Sequence, residues 1–220
     1  SKIENAILLL RNPMYVLPSY FKFLYRYEYG NGPDAKVPID KWVAWRNEHY
    51  ADQLEKWIEH TKWWMDHYTA DKLLVISFEN LTADRQSGVD TLRQMGIFLG
   101  RIDSMTARNL VPEADLPCFW EKAVAWTVPK PEQQGQSAYG AIPQMPSDRP
   151  AIPAKKQKKK RKQFEPPAYP FTVDQMDGMI NAIKKLKREY NTIPQLHDLM
   201  GVYLKQIAVA KRQIEKLLAS

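Results

Sequence analysis

An α/β fold with a parallel sheet is the class this sequence predicts, on three observations. Two continuous apolar runs, Ala6–Leu10 and Leu73–Phe78, are too short for buried helices and read as strands buried on both faces. A long helical pattern separates them, which is the crossover that parallel strands need. Beyond residue 170 the only periodicity is helical, so the strands stand in the N-terminal part.

Taken in order, Asn5 to Leu10 forms the first strand and stops at Arg11-Asn12-Pro13. Asn12 suits a helix N-cap and Pro13 the first helical position, so a strand, a tight turn and a helix follow one another. Pro38 and Asp40 open the long helix, where Tyr50, Leu54, Trp57, Ile58, Thr61, Trp64, Met65 and Tyr68 fall at helical spacing and predict one face on the sheet. The second strand, Leu73 to Phe78, runs into Glu79, Asn80 and Leu81. A further helix over Arg85–Leu99 carries Val89, Leu92, Gly96 and Leu99 on one stripe, with Gly100 placed to end it as a left-handed cap.

The chain has 220 residues and 16 prolines, 11 of them between Pro112 and Pro170. That stretch also holds Gln133-Gln134-Gly135-Gln136-Ser137 and a lysine run, and it lacks apolar periodicity. The expected organisation is therefore a partial α/β core over 1–126, an irregular or disordered linker over 127–163, and a helical region over 164–220. In the last of these, Leu196, Met200, Tyr203, Ile207, Ala210, Ile214 and Leu217 make a heptad seam. Three heptads are marginal for an isolated coiled coil, so docking within the chain is preferred over helix-mediated self-association.

A hydrophobic content of 44% with 26% charged residues excludes fibrous, collagenous and wholly disordered classes. The longest apolar run is far short of a membrane span. One cysteine, Cys118, excludes a disulfide framework and any cysteine-built zinc or iron–sulfur site within the chain. His49, His60, His67 and His197 lack the spacing with an acid that a helical zinc site uses, and no metal is expected. Trp57, Trp63 and Trp64 read as core packing before they read as a sugar platform.

The net charge of +7 comes wholly from Lys155, Lys156, Lys158, Lys159, Lys160, Arg161 and Lys162, since the remaining basic and acidic residues balance at 25 each. Such a run can be a localisation or nucleic-acid patch, an idle solvated linker, or a basic segment folded over a ligand phosphate. The rest of the surface gives no sign of specific nucleic-acid binding.

The strand end at Arg11 is the most informative feature. Ligands of open α/β sheets bind beyond the carboxyl ends of the strands, where helix N-termini offer N–H groups and positive dipole. A guanidinium there, with the Ser19 hydroxyl on the following helix, can fork onto phosphate oxygens. The alternative is a solvated cation and an ordinary helical serine.

The segment AILLLRNPMYVLPSYFKF resembles the 3′-phosphate-binding motif of sulfotransferases that use 3′-phosphoadenosine 5′-phosphosulfate (PAPS), in which a strand ends in Arg-Asn-Pro and a serine follows eight residues after the arginine. Arg11 and Ser19 keep that spacing. Phe78, Glu79 and Asn80 are similar to the family's second landmark, an aromatic residue, a glutamate and an acidic or amide residue at a strand end. RKQFEPPAYPFTVDQMDGMINAI resembles the C-terminal part of the Golgi-type and WSC-domain-containing branch, with Arg161, Lys162, Tyr169, Phe171 and Thr172 in matching places. The resemblance implies a partial P-loop-NTPase-like sheet and transfer of a sulfuryl group from PAPS, without a metal, to a hydroxyl or amine acceptor, such as a carbohydrate. It implies that Arg11 and Ser19 hold the 3′-phosphate, that Phe78 stacks on adenine and that Arg161 and Lys162 close over the donor, and it favours the Golgi lumen as the setting, with the cytoplasm as the alternative.

The departures are as definite. No Pro-Lys-Ser-Gly or Gly-x-x-x-x-Gly-Lys-Ser/Thr turn occurs in the 220 residues, and no catalytic base is assigned. Phe78 replaces the tyrosine of many relatives and so lacks a hydroxyl. The expectation is the C-terminal portion of a sulfotransferase, inactive as it stands, with a non-catalytic scaffold using the basic run and the seam helix as the alternative.

Overall fold

The structure, a computed structural model, describes residues 4–101, 110–125 and 171–219. Strands β1 (Ala6–Leu10) and β2 (Leu73–Ser77) pair in parallel, Ala6 beside Leu73 and Leu10 beside Ser77. The crossover between them consists of α1 (Pro13–Phe23), a π turn over Leu24–Glu28, and the 29-residue α2 (Ile39–His67). After β2 come α3 (Phe78–Ala83), α4 (Arg85–Gly100) and α5 (Leu116–Trp120), then α6 (Val173–Glu189) and α7 (Pro194–Leu218).

Local chemistry sets the helix starts. Asn12 accepts from the Met14 N–H with Pro13 at the first helical position, and Asp84 accepts from the Ser87 N–H to open α4. Thr172 and Gln175 close a reciprocal capping box on α6.

Helices cover both faces of the sheet, as parallel strands require. On one face Leu8, Leu10, Leu73 and Val75 join a core built from α1, α2, α6 and α7, including Met14, Trp57, Met176, Tyr203 and Ile207. On the other, Leu74 and Ile76 pack with Phe98 of α4. A smaller cluster of Val89, Leu92, Leu116 and Trp120 holds α4 to α5. Within the main core Phe21 stacks on Trp45 at 5.0 Å between ring centroids, and Trp42 is fully buried between Trp45 and Phe171. Each such aromatic removed from water contributes about 2–3 kcal/mol.

Several expectations are corrected. The first strand is one residue shorter and is not buried on both faces: Leu9 is 46% exposed, because β1 has a neighbour on one edge only among the described residues and α4 reaches β2 more fully than β1. Phe78 does not end the second strand. The Ser77 hydroxyl accepts from the Asn80 N–H, so the chain turns helical at Phe78. Gly100 is the last residue of α4 and not its left-handed cap. Arg101 caps the helix in right-handed conformation, and positive φ is confined, among the described residues, to Gly30 and Gly32.

The long helix opens at Ile39 beside Pro38, with Asp40 in its first turn, and buries Leu54, Trp57, Thr61 and Met65 on the expected stripe. The seam helix docks within the chain. Leu196, Met200, Tyr203, Ile207 and Ala210 are fully buried against α6 and β2, which leaves that seam closed to a second helix, while Leu217 is 73% exposed. Trp57 is core, whereas Trp63 is exposed and stacks on His67 at 4.1 Å. The 127–163 segment, Tyr169, Arg161 and Lys162 lie outside the described residues.

Candidate functional site

Both strands end at the same edge of the sheet, and their last residues, with side chains from three helices, make a polar cluster around Arg11. The backbone on either side of Arg11 is tied down. The Leu10 carbonyl accepts from the Tyr203 hydroxyl of α7 at 3.0 Å, and the Arg11 carbonyl accepts from Nε1 of Trp57 on α2 at 3.1 Å. The Asn12 N–H donates to Oε1 of Glu79 at 2.9 Å, and Asn12 Nδ2 donates to Oε1 of Gln206 at 2.8 Å. Asn12 and Tyr203 are completely buried.

Glu79 is the hub of this cluster. Its second oxygen accepts from the Ser77 hydroxyl at 3.0 Å and lies 3.1 Å from the Tyr203 hydroxyl. The Asn12 N–H, the Ser77 hydroxyl and the Tyr203 hydroxyl, whose one proton is shared with the Leu10 carbonyl, thus surround one carboxylate. None of them is Arg11.

The Arg11 side chain has a different situation from its backbone. Its Nε is buried without a hydrogen-bond partner among the described residues, and its guanidinium carbon sits 4.7 Å above the centre of the Phe78 ring. Such a cation–π contact stabilises by about 0.5–2 kcal/mol and orients the plane, but it accepts no N–H bond. Burial draws the guanidinium below the ordinary arginine value, with Glu79 as the largest opposing influence. A buried N–H left unmade costs about 1–3 kcal/mol.

Of the residues expected at the site, Arg11 and Phe78 are brought together. Ser19 stands exposed two turns into α1 and is not bonded to Arg11. The expected free amides at the helix start are absent: Pro13 has no N–H, Met14 donates to Asn12 Oδ1, and Tyr15 and Val16 donate to the Asn12 carbonyl. Anion binding here therefore rests on side chains. Tyr15, from the first turn of α1, is pushed up to about 12 by burial and then by Glu79.

Three members of the cluster were not legible as site residues. Trp57 and Tyr203 read as core, although a buried indole or phenol implies a polar partner, which is a usable signal. Gln206 carries none. A separate depression of about 580 Å3 between α6 and the start of α7 is lined by Asn181, Lys184, Lys187, Arg188, Asn191 and His197, none of them in the strand-end cluster. Among the described residues no group of three or more His, Cys, Asp or Glu side chains could hold a metal ion. No helix among them is long and apolar enough to cross a membrane.

Residues 3–109, which carry β1, α1, α2, β2, α3 and α4 with Arg11, Ser19 and Phe78, match the sulfotransferase domain family. The chain is similar to a 3-beta-hydroxysteroid sulfotransferase and a 3-alpha-hydroxysteroid sulfotransferase of Cavia porcellus, each 30% identical over 101 residues, which are 46% of this chain and 33% of the relative. The chain thus spans about a third of the length of these curated relatives. No solved structure matches. Helices α6 and α7 lie beyond the matched stretch.

Proposed function

We propose that this chain forms the part of a PAPS-dependent sulfotransferase that anchors the donor through its 3′-phosphate. The observation that carries the reading is the contrast within Arg11, whose backbone is fixed by α2, α3 and α7 while its buried Nε has no acceptor among the described residues. A planar multidentate cation held this way suits the oxygens of a phosphate dianion. Ser19, exposed on α1, adds a hydroxyl, and the half-buried Phe78 ring offers an apolar surface to adenine.

In the reaction so proposed, the bond from sulfur to the donor's bridging phosphate oxygen breaks and a new sulfur–oxygen bond forms to the acceptor, which releases its proton. Adenosine 3′,5′-bisphosphate leaves. Holding the 3′-phosphate, remote from the reacting sulfur, uses binding energy to position the donor. Both relatives are named for hydroxysteroids, which supports a hydroxyl as the acceptor atom. The likeness of 160–190 to the Golgi-type branch extends the proposal to a Golgi-lumenal setting, with Arg161 and Lys162 as further donor contacts. The scaffold alternative loses its helical surface, because the seam is buried inside the chain.

Calorimetric titration of adenosine 3′,5′-bisphosphate, with 5′-AMP as control, tests the reading. The wild-type chain is expected to bind the bisphosphate more tightly, and Arg11→Ala to weaken it by about tenfold or more, the loss of a charge-assisted pair. An Arg11→Ala variant with undiminished affinity for the bisphosphate overturns the proposal.

A further inference from the structure

We infer that Tyr203 and Gln206, on a helix outside the matched domain, are positioning residues that keep Arg11 available to a phosphate ligand. The inference rests on the donor-anchoring reading above. Tyr203 is completely buried on α7, and its hydroxyl lies between the Leu10 carbonyl at 3.0 Å and Oε2 of Glu79 at 3.1 Å. One turn on, Gln206 accepts from Asn12 Nδ2 at 2.8 Å. The residues before and after Arg11 are thus both held by α7.

The second consequence is electrostatic. Glu79 is the acidic group coupled to Arg11, and a carboxylate near a guanidinium is its natural acceptor. Here the Asn12 N–H and the Ser77 and Tyr203 hydroxyls crowd the two Glu79 oxygens, and no Arg11–Glu79 ion pair forms. Removing the Tyr203 hydroxyl frees one acceptor direction on Glu79 and loosens the Leu10 carbonyl. Arg11 then has an internal partner to turn to, and a ligand phosphate must compete with it.

The test compares the full chain with its Tyr203→Phe and Gln206→Met variants, titrated with adenosine 3′,5′-bisphosphate and with 5′-AMP. The readout is the ratio of the two affinities, which a purely structural loss does not change. Tyr203→Phe is expected to lower that ratio by about threefold to tenfold, as for one neutral hydrogen bond, with 5′-AMP affinity held. Gln206→Met is expected to lower it in the same direction by less, and it carries the test if Tyr203→Phe does not fold. A wild-type ratio that depends on Arg11 but is unchanged in both variants overturns this inference alone, even if their melting temperatures fall. A wild-type ratio of one removes the donor-anchoring reading and the inference with it.

Discussion

Arg11 and Asn12 are neighbours in sequence and opposites in chemistry. Asn12 is fully buried with its side chain engaged at both ends, by the Met14 N–H and by Gln206. Asn12→Ala is expected to cost about 1–2 kcal/mol for the lost cap and to strand the Gln206 carbonyl, read as a lower urea midpoint with an unchanged slope. An unaltered midpoint would show that the cap contributes nothing to stability. The tyrosines beside them give a pH dependence. Burial raises Tyr15 to about 12 from 10.0, and burial followed by Glu79 raises Tyr203 further. Because the folded values lie above the unfolded one, the unfolded state releases these protons first. The stabilisation is complete below about pH 10 and is lost as pH rises through 12. Chemical denaturation from pH 8 to 12 is expected to show this alkaline loss, with a shallower slope in Tyr203→Phe. An equal slope would assign the loss to other groups.

Among the elements, α4 and α5 depend on one glycine. A β-carbon placed on Gly88 would meet Nε1 of Trp120 at 1.9 Å, while that indole N–H donates to the Leu81 carbonyl at 2.7 Å. Gly88→Ala gains helix propensity in isolation, yet it must expel the indole from its place. The expected outcome is a net destabilisation of about 1–3 kcal/mol, with altered Trp fluorescence marking the displaced ring. A more stable variant would mean that the indole has an equally good second position. The sequence showed α4 itself through Val89, Leu92, Gly96 and Leu99 on one stripe, but not this contact. Gly88 reads as an indifferent residue near a helix start until Trp120, 32 positions later, is folded onto it. The strands were legible because their apolar runs are continuous. Which face of β1 stays open was not, since Leu9 differs from Leu8 and Leu10 only in what lies across from it.

At the scale of the molecule, α7 closes the core. The N–H of Val75 in β2 donates to the side chain of Gln195 at 3.1 Å, so the helix also satisfies part of a strand edge. Ile207 is completely buried at the centre of its docked face, and Ile207→Ala is expected to cost about 2–5 kcal/mol. Leu217 and Leu218 are 73% and 76% exposed. Ending the chain after Glu215 is therefore expected to change stability by about 0.5 kcal/mol or less, as read by thermal melting. A large loss would show that the final turn contributes more to stability than its exposure implies.

The sequence by itself determined the parallel strand pair with its helical crossover, the helix start at Asn12 and the helical periodicity beyond residue 170, and it singled out Arg11 as a cation at a strand end. These follow from local rules: apolar period, capping chemistry, and a cation at a strand end. It also determined that the seam of α7 is apolar, because a heptad pattern is written in one segment. Only the tertiary structure decided what that seam meets. It put Tyr203 and Gln206 beside residues almost two hundred positions away, turned Phe78 into the support of the Arg11 guanidinium, and surrounded Glu79 with the Asn12 N–H and the Ser77 and Tyr203 hydroxyls. Hydrogen bonds between distant segments depend on how the elements pack, and no periodicity along the chain encodes them.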